Sequence, residues 1–187
     1  MSRQHFNISK GLTITPVAAR PSDPQDGDII YNSTNLQFEK YQNGVWVGDA
    51  AVNLRQQATN AQTVAASTTT TLQFPTQLYN TNSGTFTSNT TYTVPVTGKY
   101  TIHARVAISQ PGGGAGNALE IYVNGAPAST IVYARSYVAD TYDFVITDTL
   151  SLTATNTVTI VYSNGFGSAQ TVSNSSGRNV LTIVKVD

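Results

Sequence analysis

Residues 99–109 read Lys-Tyr-Thr-Ile-His-Ala-Arg-Val-Ala-Ile-Ser, and this stretch decides the fold class. Apolar side chains recur at every second position, at Tyr100, Ile102, Ala104, Val106 and Ile108. The positions between them are polar or charged, at Lys99, Thr101, His103 and Arg105. A period of two residues is typical of a strand with one buried face and one solvated face. The stretch therefore predicts a long antiparallel strand.

The same alternation recurs through the carboxyl-terminal part of the chain. It is seen at Leu119–Val123, Tyr142–Leu152 and Val158–Tyr162, and Asn124-Gly125 predicts a turn after the first of these. The closing stretch Val180–Val186 is apolar on both faces, which predicts a strand in the centre of a sheet or inside an oligomer. Short strands without intervening helices predict an all-β fold, a sandwich or jelly roll.

One stretch offers a helical alternative. Val47, Ala51, Leu54, Ala58 and Ala61 follow one another at helical spacing, with Asp49 as a possible N-cap. The same stretch also fits a strand with Leu54 facing inward and Arg55 outward, and the strand is the favoured interpretation.

Residues 1–50 differ from the rest and predict a separate domain, with residues 51–187 forming the second. Pro16, Pro21 and Pro24 exclude a helix or a central strand, so this arm is expected to run extended and to need a partner surface. Residues 27–47 predict a three-stranded meander, with a hairpin turn at Asn43-Gly44. A meander of this size is too small to be stable alone in water.

Composition excludes several classes of protein. Charged residues make up 11% of the chain and the formal net charge is zero, so a cationic nucleic-acid surface is not expected. The chain has no cysteine, which excludes disulfides, thiol catalysis and zinc–thiolate sites. No apolar run reaches the roughly 20 residues of a membrane helix. We therefore expect no nucleic-acid partner and no membrane partner.

The residues that could carry chemistry are few. His5 and His103 are the only histidines, and Glu39 and Glu120 are isolated glutamates, so no enzyme and no cofactor is expected. Asp140, Asp143 and Asp148 are close enough in sequence to suggest a calcium site, but solvated aspartates are the favoured interpretation. Two loops are candidates for outward contact: the glycine-rich loop around Gly113, and the turn carrying Asn164 and Phe166.

A resemblance to a known family covers about residues 51–187. Phe74, Leu78-Tyr79-Asn80, Gly84-Thr85-Phe86, Tyr92–Val96 and Thr97–Ile102 follow the order found in the head of the C1q and tumour-necrosis-factor superfamily. Leu119 to Gly125, Leu150–Leu152 and Val180–Val186 continue that order. The resemblance implies a C1q-like jelly-roll head of about ten strands, and it implies a homotrimer.

Residues 20–48 resemble a small module of bacteriophage tail and fibre proteins. The landmarks are Pro21, Pro24, Gly27, Asp28, Ile29, Tyr31, Phe38, Tyr41, Asn43, Gly44 and Trp46. We therefore expect the amino-terminal part to anchor on a virion. The expected anchoring residues are Pro16, Pro21, Pro24, Ile29, Tyr31, Phe38, Tyr41 and Trp46.

Together the two resemblances suggest a virion structural protein, made in a bacterial cytoplasm and carried on the surface of the phage particle. The first functional hypothesis is a trimeric fibre or spike whose head contacts a host surface glycan or protein, with other virion proteins as partners. The second is a capsid decoration or cement protein. The third is a non-viral bacterial C1q-like binding protein.

Overall fold

The computed structural model describes residues 14–34, 37–42, 44–48, 53–81, 84–110, 116–133, 140–174 and 177–186. The chain divides into two compact units, Met1–Ala50 and Ala51–Asp187. Every regular element within the described ranges is a strand, which confirms the predicted all-β fold.

The first unit is a four-stranded sheet in the order β1-β2-β3-β4. Its strands are β1 (Pro16–Val17), β2 (Ile29–Asn32), β3 (Gln37–Gln42) and β4 (Val45–Gly48). Strands β2 to β4 are the predicted meander, whose last turn places Gly44 at a φ of 79°. Strand β1 comes from the proline-containing arm and pairs in parallel with β2. Proline lacks an N–H donor and is confined to sheet edges, and β1 is an edge strand.

The second unit contains the remaining strands of the described chain. They are β5 (Asn53–Gln57), β6 (Gln62–Val64), β7 (Thr69–Thr71), β8 (Thr76–Thr81), β9 (Thr85–Thr87), β10 (Thr91–Thr93), β11 (Gly98–Gln110), β12 (Asn117–Val123), β13 (Ala126–Tyr133), β14 (Asp140–Leu152), β15 (Thr157–Ser163), β16 (Gln170–Val172) and β17 (Val180–Lys185). The sequence predicted about ten strands. The additional ones are three-residue strands, too short to show alternation.

Two sheets form the jelly-roll sandwich of the second unit. The seven-stranded sheet has the order β6-β16-β11-β17-β5-β8, with β14 pairing along β11. The six-stranded sheet has the order β13-β12-β15-β10-β9, with β7 pairing along β15. The core lies between them, and the predicted inward face of β11, from Tyr100 to Ile108, is fully buried. Residues at the predicted inward positions of β12, β14 and β15, among them Leu119, Ile146 and Ile160, meet it from the other strands.

The closing strand β17 lies between β11 and β5, so its apolar character on both faces corresponds to a central position in the sheet. The turn between β12 and β13 has positive φ at Asn124 (52°) and Gly125 (80°), which is the geometry expected of an Asn-Gly hairpin. The helical alternative for residues 47–61 is wrong. Residues 53–57 form β5, in which Leu54 is buried and Arg55 is exposed.

Candidate binding surfaces

One face of the first unit exposes apolar side chains. Ile29 is 56% exposed and Phe38 is 48% exposed. Tyr31 lies directly opposite Phe38 on the neighbouring strand, and their rings meet edge to face at a centroid distance of 5.2 Å. We call this surface, formed by Ile29, Tyr31 and Phe38, the aromatic face. Single exposed apolar side chains are ordinary, but a contiguous exposed set indicates a contact surface.

The other aromatic pair of this unit lies on the opposite face of the sheet. Tyr41 and Trp46 are cross-strand partners whose ring centroids are 5.3 Å apart. Tyr41 is three positions after Phe38, so alternation along β3 turns the two side chains to opposite faces. The residues predicted to anchor the chain are therefore divided between two surfaces. Pro16 lies in the edge strand β1, and Pro21 and Pro24 lie in the connection between β1 and β2. Pro16 and Pro21 are exposed and Pro24 is half-buried.

An ion pair between the exposed Arg20 and the buried Glu39 joins the arm to the meander. Arg20 donates two hydrogen bonds to the Glu39 carboxylate, at 2.9 Å from Nε and 3.1 Å from Nη2. Asn32 Nδ2 donates a third at 3.1 Å, and the Glu39 side chain is fully buried. The hydrogen bond to Glu39 raises the pKa of Arg20. Ser33 N also donates to the Val17 carbonyl at 2.9 Å.

This arrangement adds to one expectation and corrects another. Residues 16–17 of the arm pair with the chain's own strand β2, and Arg20 bonds to Glu39 of β3. Glu39, taken from the sequence to be isolated, is paired with Arg20. The sequence contained one signal for this, because the alternation of β3 places Glu39 opposite the inward-facing Ile30.

The side chains of Asn164 and Phe166, predicted to face outward, are buried in the head, whereas Gly165, Gly167 and Ser168 of the same turn are exposed. Asn164 and Phe166 are each only 3% exposed. Asn164 Nδ2 donates to the carbonyl oxygens of Ala65 (2.9 Å) and Ser168 (3.0 Å), and Asn164 Oδ1 accepts from Phe166 N (2.9 Å). The side chain is buried because it ties backbone groups of this turn together. Gly113, the other predicted contact, lies outside the described residues, as does His5.

The outer face of the seven-stranded sheet carries an ion-pair network. Arg105 Nη2 donates to Asp143 Oδ2 at 2.6 Å, and Arg178 Nε donates to Asp143 Oδ1 at 3.0 Å. Desolvation alone would raise the pKa of Asp143. The hydrogen bonds from the two arginines outweigh it, so this pKa lies below its ordinary value. His103 lies on the same face and meets Thr147 Oγ1 at 2.8 Å through Nδ1.

Two of the three aspartates that suggested a calcium site, Asp143 and Asp148, do not share a face of their strand. In the ladder between β14 and β11, Asp143 pairs with Ala107 and Asp148 pairs with the inward-facing Ile102. Alternation therefore places the two aspartates on opposite faces of β14. No group of three metal-ligating acidic or histidine side chains occurs within the described ranges. The side chain of Asp140 lies outside what the structure describes.

Exposed apolar side chains of the second unit concentrate on one sheet. Leu78 and Tyr79 belong to β8, Val145 belongs to β14, and Val186 follows β17. Their exposed fractions run from 37% to 53%, and all four belong to or adjoin the seven-stranded sheet. Within the described residues, the six-stranded sheet has no large apolar side chain exposed to this degree. The two outer faces of the sandwich are therefore chemically different.

Comparison with known proteins identifies the fold of the head. The chain is similar to the Eiger TNF of S. frugiperda, at 10% identity and a TM-score of 0.57, over 74% of this chain and 94% of that one. It is similar to murine APRIL at 15% identity and a TM-score of 0.55, over 73% and 99%. It is also similar to the globular domain of the zebrafish complement 1qA protein at 16% identity and a TM-score of 0.51, over 74% and 97%.

These likenesses show a jelly-roll head of the TNF and C1q type, as the sequence predicted. At such identities they carry the fold and nothing further. No protein-family model and no curated protein matches the chain. Of the described elements, none is a helix long and apolar enough to cross a membrane.

Proposed function

We propose that the chain is a bacteriophage virion structural protein. It acts as a homotrimer whose first unit docks on the particle and whose head projects from it to meet the host surface. Two resemblances in the sequence support this proposal, the C1q and TNF order of residues 51–187 and the tail-fibre pattern of residues 20–48. It has no catalytic step.

The observation that carries the trimer is the exposure of large apolar side chains on the outer face of the seven-stranded sheet. Tyr79 and Val145 are exposed there, and Asp143 on the same face is already paired with Arg105 and Arg178, whereas Arg55 beside Tyr79 is exposed. Paired and hydrogen-bonded charges can be covered by a partner at a smaller desolvation penalty than single charges. Obligate interfaces often bury about 2,000 Å² or more and are apolar. A face of this kind fits contact with further copies of the chain.

The anchoring role is supported by the aromatic face of the first unit. Among the side chains described in this unit, Ile30 is the single apolar one that is buried, at 9% exposure, whereas Ile29 and Phe38 are about half exposed. A small sheet with so little core gains stability by covering its exposed side against a larger body. Other virion proteins would supply that surface.

The trimer is tested by light scattering of the full chain. Three chains of 19.9 kDa predict a particle of about 60 kDa. Val145→Lys would place a cation opposite Arg105 on the proposed contact face and is expected to yield the single chain. The matched control Thr87→Lys, on the six-stranded sheet, should leave the mass unchanged. A wild-type chain that scatters as one copy would contradict the trimer.

The virion assignment is tested on particles. Phage purified from the source lysate should contain the chain by mass spectrometry, and antibodies against the head should label it from outside. Labelling of the tail supports the fibre or spike, whereas labelling of the shell indicates a decoration protein. Absence from purified particles would overturn the virion role and leave a free binding protein.

A further inference from the structure

The outer face of the six-stranded sheet carries a regular array of threonines. On β9, β10 and β15 a threonine precedes and follows one inward residue, which is Phe86, Tyr92 or Val158. The register places Thr87, Thr91 and Thr159 side by side in one row, and Thr85, Thr93 and Thr157 side by side in the next. Strand geometry places neighbouring threonines within one row about 4.8 Å apart, and it separates the two rows by about 6.8 Å along the strands. We call these six threonines the hydroxyl track.

Most of these hydroxyls have no side-chain partner. Thr91 lies 3.2 Å from the Thr90 hydroxyl, and Thr157 lies 3.4 Å from Asn124 Oδ1. The other four make no side-chain hydrogen bond within the described residues, and all six are exposed or half-exposed. Each hydroxyl can donate one hydrogen bond and accept two. The track therefore offers donors and acceptors in both directions to whatever lies on it.

Charge is almost absent from this sheet. Among the described residues, its six strands carry a single charged side chain, Glu120 on β12. The other described charges of the second unit belong to the seven-stranded sheet or to the turn that precedes β17. They are Arg55, Lys99, His103, Arg105, Asp143, Asp148, Arg178 and Lys185. A surface without charge gives no attraction to an ionic ligand and costs little to desolvate against a neutral one.

An aromatic ring and a carboxylate stand at one end of the track. Tyr122 pairs with Thr159, so it continues the row of Thr159, Thr91 and Thr87 onto a fourth strand. Glu120 lies two residues before Tyr122 on the same face, and its carboxylate accepts from Thr130 (3.1 Å) and Ser163 (2.9 Å). Those two bonds hold the carboxylate in place and leave it with further acceptor capacity. A half-exposed ring beside a fixed acceptor suits a flat, hydroxyl-bearing ligand.

We propose that the hydroxyl track, with Tyr122 at its end, binds a neutral glycan chain. This inference rests on the proposed function, because it assigns the host-surface contact to a particular face of the head. The glycan supplies the matching chemistry, since its hydroxyls donate and accept like those of threonine and its apolar ring faces cover the threonine methyls and the Tyr122 ring. A trimer presents three such tracks, so modest affinity at each gains by avidity.

A second copy of the chain fits this face less well. Burying unpaired hydroxyls against protein costs free energy unless each finds a partner, and four of the six threonines have no side-chain partner within the described residues. A glycan carries several hydroxyls on every sugar unit and retains water between them. The neutral glycan is therefore the occupant that the chemistry of the track favours.

The test is affinity electrophoresis of the full chain in native gels containing dextran, mannan or galactan, with polysialic acid as the anionic comparison. The wild-type chain should be retarded by at least one neutral polysaccharide and not by polysialic acid. The double variant Thr91→Val and Thr159→Val removes two adjacent hydroxyls and keeps β-branched side chains suited to a strand. We expect it to raise the Kd about tenfold, which corresponds to about 1.4 kcal/mol.

Two further variants separate binding from folding. Tyr122→Ala should weaken retardation to a similar degree, whereas Tyr122→Phe should keep most of it. Thr63→Val changes an exposed threonine of the other sheet and should bind as the wild type does. All variants are first checked for an unchanged melting temperature and an unchanged mass by light scattering.

The results distinguish this inference from the proposed function. If the Thr91→Val and Thr159→Val variant binds a neutral polysaccharide as the wild type does, the hydroxyl track is not the binding site. The proposed contact with the host surface would be unaffected by that result. Retardation by polysialic acid alone, or by none of the polysaccharides, would overturn the proposal that the hydroxyl track binds a neutral glycan. The trimer and the virion role are decided separately, by mass and by particle content.

Discussion

Replacing Asn164 by alanine tests whether the turn at residues 164–168 is a structural element or a contact surface. The wild-type side chain makes three good hydrogen bonds to backbone groups, to the carbonyls of Ala65 and Ser168 and from Phe166 N. A weaker contact of 3.4 Å joins Nδ2 to the Val64 carbonyl. Alanine keeps the backbone and removes all of these contacts at once.

The expected loss follows from the number and the burial of these bonds. A hydrogen bond contributes a net ~1 kcal/mol, and a buried partner left unsatisfied costs ~1–3 kcal/mol. Phe166 is buried and its N–H would be left without its partner, whereas Ala65 and Ser168 are exposed residues whose carbonyls can turn to water. We therefore expect the free energy of unfolding to fall by about 2–4 kcal/mol. That is a large share of the ~5–15 kcal/mol typical of a domain.

Urea unfolding followed by circular dichroism measures this loss. With a slope of about 2 kcal/mol per molar urea, the midpoint should fall by about 1–2 M at equal chain concentration. Asn60→Ala is the matched control, because Asn60 is exposed and makes no side-chain bond in the described structure. It should change stability by less than about 0.5 kcal/mol. An Asn164→Ala chain as stable as the control would refute the burial argument and restore the turn as a contact candidate.

Three further changes test other contacts. Gly84→Ala would place a Cβ 2.3 Å from Cε2 of the buried Tyr92, so unfolding free energy should fall by about 1–3 kcal/mol in the same assay; no change would refute the clash. Arg20→Ala removes both guanidinium bonds to Glu39 and should lower the urea midpoint reported by the fluorescence of Trp46, the only tryptophan. The pKa of folded Asp143 lies below its ordinary value, so its stabilisation is present above the ordinary pKa of an aspartate and is lost on acidification through the folded pKa. The melting temperature of Asp143→Asn should therefore vary less between about pH 6 and about pH 2 than that of the wild type.

The long strands of the head were predictable because each has one buried face. Alternation in β11 predicts the burial of Tyr100, Ile102 and Ala104, and each is fully buried. The Asn124-Gly125 pair likewise predicts its hairpin, since both residues accept positive φ. The short strands β7, β9 and β10 were not predictable individually. Three residues with threonine at both ends do not distinguish a strand from a loop, and their register follows from long-range pairing with β15.

The contacts that correct predictions made from the sequence are polar, and most of them join residues far apart in the chain. Arg20 and Glu39 are nineteen positions apart, and the predicted meander does not indicate that the proline-containing arm returns to pair with it. Asn164 lies in a run of small and polar residues that looks exposed, and its burial depends on the carbonyl of Ala65, ninety-nine positions away. Sequence reasoning assigns polar turns to the surface because most of them are there. That assignment fails where one side-chain amide makes hydrogen bonds to several backbone groups, as Asn164 does.

The division of charge between the two sheets restricts which face can meet a copy and which can meet a ligand. If copies packed through the six-stranded sheet, the hydroxyls of Thr85, Thr93 and Thr159 would leave water without assigned partners, at a cost that grows with each one. If they pack through the seven-stranded sheet, the covered charges include Asp143 with both arginines already bonded to it. The second arrangement covers charges of which Asp143, Arg105 and Arg178 are already paired, and the partner must also supply a contact for the exposed Arg55. It also covers Tyr79 and Val145 and leaves the hydroxyl track of every copy open to solvent.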